Sequence, residues 1–254
     1  MDQKRNVEQI EALNQRGGRM LTVVDLMQAG TISEEMAAYL LCAVSAGASF
    51  LTAARPGNAG KTTVLANLLS FLPPKARILT VRDGEMLREV AGYTDDGNTC
   101  YLVHEIGHGP FYSYLWNGDV PILLGMLAQG KTVASCLHAD TLQEMQEVLL
   151  GQLGVREADF RAVGLLLFIR MLHGPNGVIR RVSHVYEAVP GQEHRLAFSW
   201  DPETDSHLQH GPFGLPGCGE AEIGMAREFV RVLAKRNVRM LPDVRQRVVG
   251  YLAG

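Results

Sequence analysis

Residues 55–63 combine side chains and backbone positions that suit phosphate binding. They read Arg-Pro-Gly-Asn-Ala-Gly-Lys-Thr-Thr, follow an apolar run at 49–53 and precede an apolar-periodic run at 61–72. In a strand–loop–helix arrangement, N–H groups of the loop can wrap an anion, Lys61 can reach outer phosphates, and the Thr62 hydroxyl can bind Mg²⁺. The pattern therefore predicts a Walker A phosphate loop. Its predicted binding residues are Pro56, Gly57, Asn58, Ala59, Gly60, Lys61, Thr62 and Thr63.

The loop departs from the pattern GxxxxGK[ST] at its first position, which is Arg55, and at its usual inner glycine, which is Asn58. Loop glycines supply positive φ angles and allow a ligand to approach the backbone closely. Gly57 restores some of this freedom. Two alternatives stay open on these grounds: phosphate binding that is weakened or reshaped, and a tight strand–helix turn that binds no ligand.

The flanking segments alternate between strand-like and helix-like patterns, which predicts a parallel sheet wrapped by helices. The strand-like runs are 49–53, 77–81, 100–103 and 132–137, and the helical runs are 61–72, 123–129 and 141–150. Later runs are separated by Gly, Pro and Asn, which predicts antiparallel strands that extend the sheet. These runs are 162–172, 177–189 and 195–200, followed by a predicted loop at 202–219 and closing helices at 220–235 and 242–252.

The N-terminal part predicts helices: a polar one over 1–18, a short amphipathic segment at 21–28, and a third helix for which Ser33 is the N-cap. We therefore predict a helical lead-in at 1–46, an ATPase-like core at 47–190, and an appendage of strand and helix at 191–254.

Composition excludes several classes of protein. The 254 residues carry a formal net charge of −3, so we expect no nucleic acid partner. The four cysteines form no CxxC pair, which indicates neither a disulfide framework nor a cysteine-rich zinc site. The polar start and the short apolar runs predict a cytoplasmic protein, at most peripheral to a membrane.

Several segments resemble the ATPase superfamily of type II and type IV secretion, pili and archaella, nearest the tight-adherence pilus branch. TVVDLMQAGTISEEMAAYL resembles the helix–turn–helix before the first core strand of that family, and SFLTAARPGNAGKTTVLANLLSFLP resembles its Walker A segment. The resemblance runs from about residue 21 to the C-terminus and implies a RecA-like α/β core, with a small C-terminal helical part, that binds ATP and Mg²⁺.

The same resemblance implies a biological setting. Hydrolysis of ATP would drive protein secretion or pilus assembly, in a homo-oligomer, hexameric as in the family, or a hetero-oligomer with a related ATPase. The implied partner is a platform protein of the inner membrane, where the chain would be peripheral. Little sequence precedes residue 21, so the separate N-terminal domain of the family is not expected.

Three further segments resemble catalytic boxes of this superfamily. RILTVRDGEML resembles its Asp box, with Asp83 and Glu85 as the carboxylates, and CYLVHEIG resembles its Walker B strand, so that Glu105 orients Mg²⁺ through water. GKTVASCLHADT resembles its His box and places His138 near the terminal phosphate. The predicted catalytic residues are Glu105, Glu85, Asp83 and His138, and the predicted metal-binding residues are Thr62 and, through water, Glu105.

The boxes also depart from the family pattern. Arg82 replaces the first acid of the Asp box, and Glu85 lies one position early. The arginine-rich segment between the Asp box and Walker B is mostly missing, because only residues 84–99 fill that interval. An alternative is therefore a degenerate phosphate-loop subunit with weak or no hydrolysis and an assembly or regulatory role.

Residues 104–108 read His-Glu-Ile-Gly-His and also match HExxH, in which a helix offers two histidines to zinc and a glutamate acts as general base. The strand-like composition at 100–103 and the following Gly109-Pro110 oppose a helix there. A third ligand would have to come from elsewhere in the chain, for example Glu144 or Glu147. A zinc hydrolase is the third alternative.

Overall fold

The computed structural model describes residues 3–14, 17–94, 97–174 and 177–254. The ends of the predicted N-terminal helix, residues 1, 2, 15 and 16, lie outside the described part. The helices are α1 Gln3–Glu11, α2 Val23–Gln28, α3 Glu34–Ser45, α4 Lys61–Leu69, α5 Gly84–Gly92, α6 Asp119–Gly125, α7 Leu142–Gln146, α8 Glu157–Arg161, α9 Glu220–Lys235 and α10 Leu241–Leu252. The strands are β1 Phe50–Ala53, β2 Arg77–Thr80, β3 Thr99–Leu102, β4 Glu105–Ile106, β5 Tyr114–Leu115, β6 Thr132–Leu137, β7 Leu165–Gly174, β8 Gly177–Glu187, β9 Arg195–Asp201 and β10 Ser206–Gln209.

The strands form a single mixed sheet, whose main path has the order β10-β9-β8-β7-β1-β6-β3-β2, while β4 pairs with β5 and β6 beside it. β1 lies parallel to both β6 and β7, and β3 lies parallel to β6 and β2. From β7 to β10, each strand pairs antiparallel with the next. The predicted α/β fold, a parallel sheet extended by antiparallel strands, is confirmed.

Successive residues of the central strands contribute to two separate cores, because side chains of a strand alternate between its faces. Phe50 and Leu167 belong to the core that contains residues of α3, α4, α9 and α10, whereas Leu51 and Leu166 belong to the core under α5, α6 and α7. All four side chains are fully buried. Helices thus cover both faces of the sheet and fix its strand order.

Arg245 ties the last helix to the end of α4. Its guanidinium is 1% exposed and donates hydrogen bonds to the carbonyls of Ser70, Leu72 and Pro73, while its Nε donates to Gln3 Oε1 at 2.9 Å. Burial lowers its pKa to about 10. The carbonyls at a helix C-terminus carry partial negative charge, which compensates the buried cation in place of a carboxylate.

Several local predictions are confirmed and others are wrong. Ser33 caps α3 by accepting a hydrogen bond from Met36 N at 3.1 Å, as predicted. The predicted loop at 202–219 is wrong in part, because residues 206–209 form β10 and pair with β9. Residues 84–92 form α5, which the sequence did not predict. The division at 46 and 190 stays a prediction.

No described helix combines the length and the apolar character that crossing a membrane requires.

Replacement of Arg245 by Ala is expected to lower the free energy of unfolding by about 3 kcal/mol, because buried carbonyls lose their donor and a cavity opens. Arg247 is exposed on the same helix, and Arg247→Ala should change that free energy by no more than about 0.5 kcal/mol. Denaturant unfolding of both variants measures the difference, and equal losses would contradict the role assigned to Arg245.

Candidate functional site

The loop after β1 has the backbone conformation that its sequence requires. Gly60 is the N-cap of α4 and has a φ angle of 101°, and Asn58 has a φ angle of 70°. Asparagine enters the left-handed region more readily than most residues that carry a side chain. Asn58 therefore takes the conformation for which an inner glycine would be used, and this departure from the motif does not disturb the loop.

Arg55 does not occupy the space in front of the loop. The guanidinium of Arg55 forms an ion pair with Glu144 Oε1 at 2.8 Å, and the backbone N–H of Arg55 donates to Asp140 Oδ1 at 2.7 Å. Glu144 belongs to α7 and in turn accepts from Asp140 N at 2.8 Å. The side chain of Arg55 is thus directed to α7, away from Lys61.

Lys61 begins α4, and its side chain is buried, with 7% of the residue exposed. Its Nζ lies 3.3 Å from the carbonyl of Ala54, 3.2 Å from His138 Nε2 and 3.9 Å from Glu105 Oε2. A buried ammonium group needs such partners, since an unpaired charge is costly away from water. The cation is therefore held at the start of α4 by three different segments of the chain.

Glu105 and His138 lie beyond the carboxyl ends of β3 and β6, which are neighbours in the sheet. His138 Nε2 is 3.1 Å from Glu105 Oε1, and His138 Nδ1 is 2.7 Å from the carbonyl of Arg55. Because a carbonyl only accepts, Nδ1 carries a hydrogen. The carboxyl edge of a parallel sheet is where α/β proteins bind ligands, and the structure brings both predicted residues there.

Cys136 lies next to Glu105 and was not among the site residues predicted from the sequence. Its Sγ donates to the carbonyl of His104 at 2.9 Å, lies 3.9 Å from Glu105 Oε2, and is close to the side chain of Thr62. Burial, and then the charge of Glu105, raises the pKa of this thiol to about 12. It is neutral at physiological pH, and its neighbourhood brings the oxygens of Thr62 and Glu105 close together.

Lys61, Glu105 and His138 face a cleft of about 640 Å³ that is lined by both polar and apolar residues. The polar lining comes from residues 57–63 with Glu105 and His138, and from Arg180 of β8, which donates from Nε to the carbonyl of Asn58 at 3.0 Å. The apolar lining includes Leu21, Leu26, Ile169, Val178 and Ile179. No local motif marks Arg180, because only the folded hairpin β7–β8 brings it to residues more than a hundred positions earlier.

The HExxH interpretation is wrong, because residues 105–106 form a strand instead of a helix. His104 is 6% exposed and packs edge-on against Tyr112, whereas His108 stacks against Trp116. Neither ring nitrogen of His104 has a hydrogen-bond partner within the described ranges, and those ranges contain no group of three metal-binding side chains. Burial lowers the pKa of His104, which favours a neutral ring.

Asp83 and Glu85 are not brought to the cleft. Asp83 is the N-cap of α5 and accepts a hydrogen bond from Met86 N at 2.9 Å, and Glu85 is exposed in the first turn of that helix. Neither residue is among those that line the cleft. Their catalytic role stays a prediction, and the structure assigns Asp83 a capping contact.

Comparisons with known proteins give distant similarities. No family model matches the chain. An uncharacterized protein of Methanocaldococcus jannaschii is 24% identical over 214 residues, which cover 75% of this chain and 39% of that protein. The chain thus spans about two fifths of this curated relative.

Two solved structures are similar in fold. The VirB11 ATPase of the Brucella suis type IV secretion system, in complex with sulphate, has a TM-score of 0.45 at 19% identity, covering 64% of this chain and 53% of that one. The ATPase DotB of Yersinia pseudotuberculosis has a TM-score of 0.46 at 11% identity, covering 89% and 62%. At TM-scores below 0.5 these similarities assign no activity to this chain.

Replacement of His104 by Phe is expected to reduce the loss of stability on acidification. The pKa of His104 is lowered in the folded chain, so below the unfolded value of about 6.5 the unfolded chain binds the proton more readily. Stability is therefore full above that pH and falls below it. Unfolding free energies at pH 7.5 and 5.5 should differ less in the variant than in the wild-type protein.

His173 is exposed on β7 and provides a matched control. His173→Phe should keep the wild-type difference between the two pH values. If His104→Phe also kept it, His104 would not be the buried neutral group that the packing against Tyr112 indicates.

Proposed function

We propose that this chain binds a nucleoside triphosphate together with Mg²⁺ in the cleft and hydrolyses the terminal phosphoanhydride bond. One observation carries this proposal: the buried ammonium of Lys61 at the start of α4 lies within 3.9 Å of Glu105 and 3.2 Å of His138. A helix N-terminus, a cation and a carboxylate at the carboxyl edge of a parallel sheet form the combination that phosphoryl transfer uses.

The polar and the apolar lining of the cleft suit the two parts of a nucleotide. The N–H groups of residues 57–63 and the charge of Lys61 suit a phosphate chain. The apolar side chains of Leu21, Ile169 and Ile179 suit the flat face of a nucleobase. A cleft of about 640 Å³ lies within the ordinary range for ligand sites.

Thr62 and Glu105, which lie next to Cys136, suit a hard cation. The hydroxyl of Thr62 and Oε2 of Glu105 both approach Cys136 Sγ, so two oxygen donors converge there. Mg²⁺ prefers oxygen donors and is held by few protein groups together with phosphate oxygens. When bound, the ion would offset negative charge on the phosphates.

The other roles belong to side chains of this chain. Lys61 would neutralise charge on the phosphates, exchanging its present contact with Glu105 for phosphate oxygens. Glu105, thereby released, would orient the attacking water. The ring of His138, whose Nε2 lies 3.1 Å from Glu105 Oε1, would stay beside that carboxylate at the end of β6. The carbonyl of Arg55 keeps the ring of His138 in this orientation.

The sequence resemblance supports the wider setting of this activity. In that setting ATP is the nucleotide, subunits rearrange in an oligomer, and hydrolysis is coupled to protein secretion or pilus assembly at an inner-membrane platform protein. The oligomer, the partner and the location stay predictions.

A second candidate function is a nucleotide-binding subunit that does not hydrolyse. Asp83 caps α5, and Glu85 is exposed away from the cleft, so the carboxylates of the Asp box do not join Glu105. Such a subunit would bind ATP and act in assembly or regulation.

The Lys61→Ala variant separates the two functions. It should release phosphate from ATP at least about 100-fold more slowly than the wild-type protein, because a preorganised charge at the reacting phosphates is lost. Lys75 is exposed in a loop, and Lys75→Ala should keep the wild-type rate. Steady-state phosphate release measures all three proteins, and equal rates for wild type and Lys61→Ala would exclude catalysis at this site.

Replacement of Arg55 by Ala should leave the affinity for ATP within about fivefold of wild type, because an exposed ion pair contributes at most about 1 kcal/mol. The guanidinium of Arg55 is engaged by Glu144, outside the cleft. Isothermal titration calorimetry measures the affinity. A much larger loss would mean that Arg55 turns toward the ligand.

A further inference from the structure

We propose that Arg180 binds the phosphate groups of the ligand directly, as a second cation that the β7–β8 hairpin holds over the loop. This inference rests on the proposed function and adds a residue to it. The hairpin lies outside every segment from which the sequence predicted a site residue.

The position of Arg180 follows from its contacts with the loop. Its Nε donates to the carbonyl of Asn58 at 3.0 Å, and a Cβ added to Gly60 would lie 3.3 Å from its Cδ. The side chain therefore crosses the loop above Gly60, where no side chain opposes it. Arg180 and Lys61 line the same cleft.

The guanidinium retains hydrogen-bonding capacity. It has five N–H groups, and the contact with Asn58 uses the one on Nε. Within the described ranges no carboxylate forms an ion pair with Arg180, whereas Arg181 is paired with Asp205 at 2.7 Å. The two terminal nitrogens of Arg180 thus form a fork that matches the oxygens of a phosphate.

The strand that carries Arg180 is anchored on its other side. Arg181 donates to the carbonyl of Ala29 at 2.9 Å, and Val182 N donates to the carbonyl of Thr31 at 2.8 Å. Neighbouring residues of a strand face opposite sides, so Arg180 projects from the face opposite Arg181. The register shift between Phe168 and Ile169 leaves one extra residue, Ser183, on β8, as in a β-bulge.

The charge balance of the cleft favours the same role. Its charged lining residues are Asp25, Lys61, Glu105 and Arg180, and Asp25 is already paired with Arg19 at 2.7 Å. Without Arg180, the negative charge of Glu105 would offset the positive charge of Lys61. The cleft would then carry no excess positive charge for an anionic ligand. The arginine of the interval 84–99, Arg88, is paired with Asp119 and does not line the cleft.

The test measures binding of ATP and of inorganic tripolyphosphate by calorimetry. Arg180→Ala should weaken both affinities about tenfold or more, since a charge-assisted hydrogen-bond pair is lost. Arg180→Gln, which keeps a donor for Asn58 without the charge, should be as weak as Arg180→Ala. Arg180→Lys, which keeps the charge, should recover part of the affinity.

Arg170 is exposed on β7 and does not line the cleft, so Arg170→Ala is the matched control and should bind as wild type does. Wild-type affinity in Arg180→Gln but not in Arg180→Lys would show that Arg180 only braces Asn58, and would overturn the inference. Wild-type affinity in Arg180→Ala, with Lys61→Ala weakened, would overturn it while the proposed function stands.

Two further outcomes distinguish phosphate binding by Arg180 from hydrolysis of ATP. Tripolyphosphate binding that depends on Arg180, without phosphate release from ATP, would support the inference and exclude hydrolysis. Wild-type protein that binds neither compound would overturn both.

Discussion

The site depends on one physical constraint: the ammonium group of Lys61 is buried and must be compensated. Water is mostly excluded from it, so the carbonyl of Ala54, the ring of His138 and the carboxylate of Glu105 take the place of solvent. These partners come from the ends of β1, β6 and the segment after β3. The strand order that places β6 between β1 and β3 is therefore a requirement for this compensation.

The loop also accommodates the two residues that depart from the motif, Arg55 and Asn58. The guanidinium of Arg55 is paired with Glu144 and its backbone N–H donates to Asp140, so Arg55 does not line the cleft. Asn58 adopts a left-handed conformation that asparagine tolerates. Gly60 remains necessary, because other residues rarely adopt its φ angle of 101° and a Cβ there would lie only 3.3 Å from Arg180 Cδ.

Hydrogen bonds between segments far apart in the sequence hold the loop, α4 and the β7–β8 hairpin together. The end of α4 is fixed by the buried guanidinium of Arg245, and the hairpin above the loop is fixed by Arg181 at the end of α2. Both contacts join segments far apart in the chain and use backbone carbonyls as acceptors. The cleft itself is lined by residues from the N-terminal and central parts of the sequence, between Leu13 and Arg180.

Much of the site was predictable from local pattern. Residues 55–63, between a strand-like and a helix-like run, predicted the loop that precedes α4. Glu105 and His138 were predicted from the resemblance, and the parallel strands β3 and β6, which end at Leu102 and Leu137, bring them to the same edge. These inferences hold because the period of a strand or helix and the shared edge of parallel strands are properties of sequence neighbours.

Other features were decided by the tertiary structure alone. The sequence could not tell whether Arg55 fills the cleft, or that Arg180 lies over Asn58. Both depend on which partner is nearest across the fold, over separations of up to 122 positions. A local pattern specifies the conformation of a segment, but the charge or strand edge that it meets is specified only when distant segments pack together.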